Sequence, residues 1–218
     1  MPRALFEKMG NAVWISHLDL MRLFQRAFQR AGLPLTHTQG FNPRPSVSIA
    51  LPLSVGVESV CELLDFDLDG IQVPCDEICN RLNEALVDGV RVLSVYEDGA
   101  KIKHLALLRS VLTLEYDAGV PLGAADDIRE MLSRNSLTVE KKGKSGIVDQ
   151  DIISMLRSFN VEAGETEVSV EVLACCQNPT LNPMQIVAAI EKYLPLLKPD
   201  HALCRRAEVY DINEKMFR

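Results

Sequence analysis

Ser16-His-Leu-Asp-Leu-Met-Arg-Leu-Phe-Gln-Arg-Ala-Phe-Gln-Arg-Ala-Gly32 is the stretch on which the reading of this chain turns. Apolar residues at 20, 23, 24, 27, 28 and 31 keep the spacing of one buried helix face. Ser16 can accept from the exposed amides of the first turn, and Asp19 three residues on comes close to completing a capping box. Gly32 is placed where a left-handed residue commonly ends a helix. A helix beginning at Ser16 is therefore expected, and its unburied side carries Arg22, Arg26 and Arg30 at spacings of four.

Outward from this helix, the remaining elements follow from periodicity and turn residues. Residues 3–7 read as a strand before it. Extended segments follow near 33–37 and 46–51, then a strand over 62–68 with Leu64, Phe66 and Leu68 on one face. Pro74 opens a second helix to about Val87, and residues 90–96 form another strand. The order is β-α-β-β-α-β, the ferredoxin-like unit, with two helices on one face of an antiparallel sheet. The second half repeats it more loosely. It has a strand over 105–116, a helix over 121–135 and a hairpin around Lys141-Lys-Gly-Lys-Ser-Gly146. Residues 152–159 form a segment that can be read as helix, and a strand covers 167–174. Asn182 then caps a helix from Pro183 to about Tyr193, and a closing strand covers 202–211. The expected fold is α+β, two tandem ferredoxin-like units spanning residues 1–100 and 101–218.

Composition limits what the chain can do. At 218 residues, with 47% hydrophobic and 24% charged residues, it can bury a sizeable core. No apolar run reaches the roughly 18 residues of a membrane span, and the N-terminus lacks a signal-peptide pattern, so the protein is expected in the cytoplasm with no membrane contact. The six cysteines are expected to be reduced. Cys75 and Cys79 form C-x3-C, but the third position of a radical-SAM cluster loop falls on Leu82, so no cluster, metal or other cofactor is expected. No P-loop, dinucleotide fingerprint or zinc-spaced set occurs.

The net charge of −7 hides an asymmetry. Residues 1–60 hold Arg3, Lys8, Arg22, Arg26, Arg30 and Arg44 against Glu7, Asp19 and Glu58, which is +3 and leaves −10 for the rest. A locally basic face on an acidic body fits an anionic ligand, and arginine's planar fork suits phosphate. The same stripe could dock an acidic protein. Gln39-Gly-Phe-Asn-Pro-Arg-Pro45 is more specific. Its prolines restrict the backbone. Gly40 permits a sharp entry, and the loop can present Phe41 to a base and Arg44 to a phosphate. Gln39 and Asn42 add hydrogen-bonding groups beside them. His17 and His37 are candidate general acid and base for metal-independent RNA cleavage, or metal ligands together with Asp19. The blander reading makes them capping and packing residues. Asp19 and Glu58 are expected to shape the pocket.

The segments Phe6-Glu-Lys8, Trp14-Ile-Ser-His-Leu-Asp-Leu-Met-Arg-Leu-Phe24, Gly40-Phe-Asn-Pro-Arg-Pro45 and Leu51-Pro-Leu-Ser-Val-Gly-Val-Glu-Ser59 resemble the radical-SAM-linked family of bacterial proteins, with Trp14 where that family more usually carries Phe. The resemblance is close over residues 3–68 and weak beyond. It implies a radical SAM protein as partner, encoded beside it or fused to it, and implies no reaction of its own. The tandem architecture also resembles the CRISPR repeat-processing endoribonuclease superfamily, without that group's glycine-rich C-terminal loop. The expected function is therefore an accessory recognition module rather than an enzyme. It would serve a radical SAM protein and bind RNA through Arg22, Arg26, Arg30, Gln39, Phe41, Asn42 and Arg44. The alternatives are an endoribonuclease using His17 and His37, or an adaptor that contacts only protein.

Overall fold

The computed structural model describes residues 1–143 and 146–218, and the chain divides into two compact units, residues 1–102 with Arg218 and residues 103–217. Both are mixed α/β, with antiparallel sheets.

In the first unit, strand β1 (Arg3–Lys8) leads through a 3-10 turn (Gly10–Trp14) into helix α1 (His17–Arg30). Strands β2 (Val47–Ile49) and β3 (Val57–Phe66), helix α2 (Cys75–Ala85) and strand β4 (Val90–Tyr96) follow. The strand order is β4-β1-β3-β2, every pair antiparallel. Alternation along β1 sends Ala4 and Phe6 to the side where they share one core with Leu64, Phe66 and Val92 of the sheet. The buried face of α1 (Leu20, Phe24, Ala27, Phe28) and Ile78 and Leu82 of α2 enter that same core, so both helices cover one sheet face. Phe6 meets Phe24 edge-on at 4.7 Å between ring centres, and Phe28 meets Phe66 at 4.8 Å. Truncating Phe24 to alanine would remove a fully buried ring, a change that costs about 3–5 kcal/mol in comparable cores.

The start of α1 is held from outside the helix. Lys8 is fully buried, and its Nζ donates to the carbonyls of Val13 at 3.1 Å and Ile15 at 2.8 Å. Ser16 then caps the helix, accepting from the Asp19 amide at 3.2 Å, while its hydroxyl donates to the Asp19 carboxylate at 2.8 Å. At the other end Gly32 takes φ +66°, the left-handed conformation that a side chain would resist. Arg3 ties β1 to β3 through a two-pronged pair with Asp65, at 2.5 and 3.1 Å, and also donates to the Ala100 carbonyl at 2.8 Å.

The second unit has strand β5 (Leu105–Glu115), helix α3 (Ala124–Leu132), hairpin β6 (Thr138–Gly143) and β7 (Gly146–Asp151), strands β8 (Leu156–Ala163) and β9 (Glu167–Cys175), helix α4 (Met184–Tyr193) and strand β10 (His201–Asp211). The order β10-β5-β9-β8 is again antiparallel throughout, and β6 pairs with β7 in a separate two-stranded sheet. The tip of the expected hairpin, residues 144–145, lies outside the described residues.

Three local expectations change. Residues 152–159, read as a possible helix, form a short 3-10 turn (Ile153–Met155) and the start of β8, because pairing with β9 supplies backbone partners that local propensity does not foresee. The strand expected at 62–68 begins at Val57, since the edge of β1 extends its pairing back to Ser59. The extended segment 33–37 contributes only isolated bridges, Leu35 with Leu68 and His37 with Pro45, where Pro34 and Pro45 have no N–H to offer a ladder.

All six cysteines are thiols outside any disulfide. Burial pushes the thiols of Cys176 and Cys204 up to about 11. In the native protein at pH 8 these two should resist a thiol-titrating reagent and react only after unfolding; modification of either in the folded state, located by peptide mapping, would contradict this. Lys8→Met should keep the packing volume but take the Lys8 donor from the Ile15 carbonyl and leave the Val13 carbonyl with the Gly56 amide alone, lowering the unfolding free energy by about 1–3 kcal/mol. Equilibrium urea unfolding measures that loss.

Candidate polyanion-binding face

The arginine stripe is real in sequence but divided in space. Arg22 is exposed, and its Nη1 pairs with Asp19 at 2.9 Å. The hydroxyl of Ser16, and then the Arg22 guanidinium, hold the Asp19 carboxyl below its usual range, so this residue stays ionised and offsets Arg22. Arg30 donates to the carbonyl of Ala85 at 2.5 Å, placing a cation at the C-terminal end of α2 where the helix dipole favours one. Arg26 is exposed and makes no ion pair among the described residues. It is the arginine of α1 left to meet a ligand.

Arg26 borders a cleft of about 460 Å³ between the C-terminal half of α1 and the chain that follows it. Gln25 and Gln29 flank it on the helix, Pro34 and the edge of Leu35 supply apolar surface over the buried Phe28 and Leu33, and His37 and Pro45 complete the lining. His37 and Pro45, joined by an isolated bridge, also bound the segment that contains the loop singled out above. Between them the loop is clamped. The Thr38 amide donates to the Arg44 carbonyl at 2.9 Å, and the Arg44 amide donates to Thr38 Oγ1 at 3.0 Å. Gly40 has φ +139°, a region open in practice only to glycine, so the sharp entry expected at this position is present. Beyond the clamp Gln39, Phe41, Asn42 and Arg44 are exposed, and Phe41 is wholly so at 102%.

Asp19 and Glu58 are bonded elsewhere than at Arg44. Asp19 is engaged by Ser16 and Arg22, and Glu58 accepts from the Gly10 amide at 3.2 Å. Arg44 makes no ion pair among the described residues. Glu58 therefore braces the 3-10 turn and does not line the cleft.

His17 and His37 are not brought together at this cleft. His17 lies in the first turn of α1, and His37 lines the cleft beside Gln25 and Gln29. Eight residues of helix separate His17 from Gln25, about 12 Å of axial rise. The Nδ1 of His17 is buried without a hydrogen-bond partner. Among the described residues no three His, Cys, Asp or Glu side chains converge on a metal position. No helix among them is long and apolar enough to cross a membrane.

Sequence reasoning missed the walls of the cleft, Leu33, Pro34 and Leu35, and the clamp residue Thr38. A run of Leu-Pro-Leu reads as ordinary buried strand, and nothing local marks a threonine whose partner is six residues away.

A family model described as "Uncharacterized protein conserved in bacteria (DUF2344)" matches residues 2–183. Among solved structures, a chain of a Cbf5-Nop10-Gar1 complex is similar with a TM-score of 0.52 at 11% identity, over 95% of this chain and 48% of that one. A chain of the archaeal box H/ACA sRNP Nop10-Cbf5 complex gives 0.46 at 11% identity, over 94% and 46%. This chain thus spans about half the length of these two chains, and at this identity the likeness is one of fold. No curated protein matches the chain.

Thr38→Val should loosen the loop without touching the core. Amide exchange at Arg44 is expected to accelerate while the global unfolding free energy moves by no more than about 0.5 kcal/mol. Unchanged protection of that amide would show that the hydroxyl does not hold the loop.

Proposed function

The chain belongs to the bacterial family DUF2344, and from that premise we propose that it is a non-catalytic recognition module that binds RNA through the N-terminal basic face. The observation that carries the reading is the set of Arg26, exposed at the rim of the cleft, and Arg44 and Phe41, exposed on the clamped loop whose base adjoins that cleft. An exposed arginine presents a planar fork of donors that suits phosphate, and an exposed aromatic beside it offers a face for a flat ring. Gln39 and Asn42 add donors and acceptors along the same loop.

We read the strand order 4-1-3-2 shared by both units as the ferredoxin-like arrangement in tandem, with residues 1–100 carrying the binding face and residues 101–218 forming the second domain. The module would present RNA in the cytoplasm to a radical SAM enzyme, the partner implied by the resemblance of residues 3–68. A second reading, contact with protein, is favoured by Trp14. Its ring is 70% exposed and lies over Gly56, whose added Cβ would stand 3.7 Å from it, next to the exposed Val55. The two readings use different surfaces and can both hold.

Fluorescence anisotropy with single-stranded RNA across a salt series tests the first. Each phosphate contact contributes about 0.7 to the slope of log K against log salt, so the Arg22→Ala/Arg26→Ala/Arg44→Ala variant should lower the slope by roughly 1–2 and weaken binding at every salt. An unaltered slope would remove these residues from the contact.

A further inference from the structure

We propose that the cleft between α1 and the 37–45 loop takes one unpaired nucleotide, so that the protein selects single-stranded over duplex RNA. This deepens the RNA reading above and rests on it. The cleft's volume of about 460 Å³ lies in the range of small-ligand sites and is concave, whereas an RNA duplex presents a convex cylinder with its bases stacked inside. Only a base turned out of the stack can enter.

The lining suits that occupant on two sides. Exposed Pro34 and the edge of Leu35, backed by the buried Phe28 and Leu33, give apolar surface for the face of a ring. Gln25 and Gln29, one helical turn apart, bring two amides whose oxygen accepts and whose nitrogen donates, the combination that a free Watson–Crick edge requires. Neither amide makes a hydrogen bond to another side chain among the described residues. Arg26 at the rim is the charge for the attached phosphate. Phe41, held on the segment that His37 and Pro45 bound, offers a stacking surface for the neighbouring base. A purely electrostatic track needs none of this apolar surface.

The test compares a labelled single strand of about ten nucleotides with the duplex formed by adding its complement, at matched salt. The proteins are wild type, Gln25→Ala/Gln29→Ala and Phe41→Ala, all surface changes whose folding is checked by thermal melting. Wild type should prefer the single strand. The double glutamine variant should lose about tenfold in single-strand affinity, the worth of two hydrogen bonds, and keep its duplex affinity; Phe41→Ala should lose single-strand affinity likewise. Equal binding of both RNAs, or equal losses for both, would overturn the cleft assignment while leaving a basic RNA-binding face. Absence of binding to either RNA would overturn the underlying reading as well. Displacement of the single strand by polyglutamate of equal charge, as effectively as by unlabelled RNA, would make the face a protein-docking surface and overturn the proposal.

Discussion

The buried ammonium of Lys8 is the contact on which the geometry of the candidate face depends. Taking a lysine out of water is costly unless its donors are met, and here the carbonyls of Val13 and Ile15 meet two of them. These carbonyls belong to the turn that joins β1 to α1, so the bonds fix the path of the chain immediately before Ser16. The cap at Ser16 then sets the first turn of the helix, and with it the rotation that turns Phe24 and Phe28 into the core. The orientation of Arg26, Gln25 and Gln29 toward the cleft follows from that same rotation, since residues on one helix cannot turn independently. A contact at the end of a strand thereby determines which side chains a ligand meets more than two helical turns away.

Three arginines at equal spacing end with three different assignments because their surroundings differ. One is offset by the acid of the capping turn, one completes the end of a neighbouring helix, and one is left facing solvent beside the loop. The formal +3 over the first sixty residues already sets Asp19 against Arg22, but it includes Arg3, paired with Asp65, and the buried Lys8, so it overstates the cationic field available to a ligand. The usable part is concentrated at Arg26 and Arg44, around the clamped loop. The loop itself is rigid for inexpensive reasons: two hydrogen bonds at its base, a glycine at its entry and two prolines near its exit. Its side chains remain unsatisfied by the protein. That combination of fixed backbone and free side chains makes the segment suited to recognition, because little ordering entropy remains to be lost on binding.

Much of this was legible in the chain. The α1 boundaries were written in Ser16 and Gly32, and its buried face in the spacing of Leu20, Phe24, Ala27 and Phe28. The loop was marked by Gly40, Pro43 and Pro45. What escaped was what depended on distant pairing. Residues 152–159 carry no decisive period, and β9 turned part of them into strand. His37 and His17 looked comparable in composition, yet one stands at the cleft and the other at the opposite end of the helix. Thr38 gave no signal, because a hydroxyl closing a loop upon an amide six residues later has no local pattern.

By itself the sequence determined where helices and turns begin and end, which helix face is buried, and which short stretch holds polar groups that a core does not need. These are local properties, set by capping groups, backbone restrictions and a period of 3.6 or 2 residues. Only the tertiary structure decided which arginine keeps its charge free, that Leu33 and Leu35 line a cleft with Gln25 and Gln29, and that His37 rather than His17 joins them. Those outcomes depend on how strands pair and how a loop returns across a helix. Pairing is settled by the summed burial of residues far apart in the chain, which no local window contains.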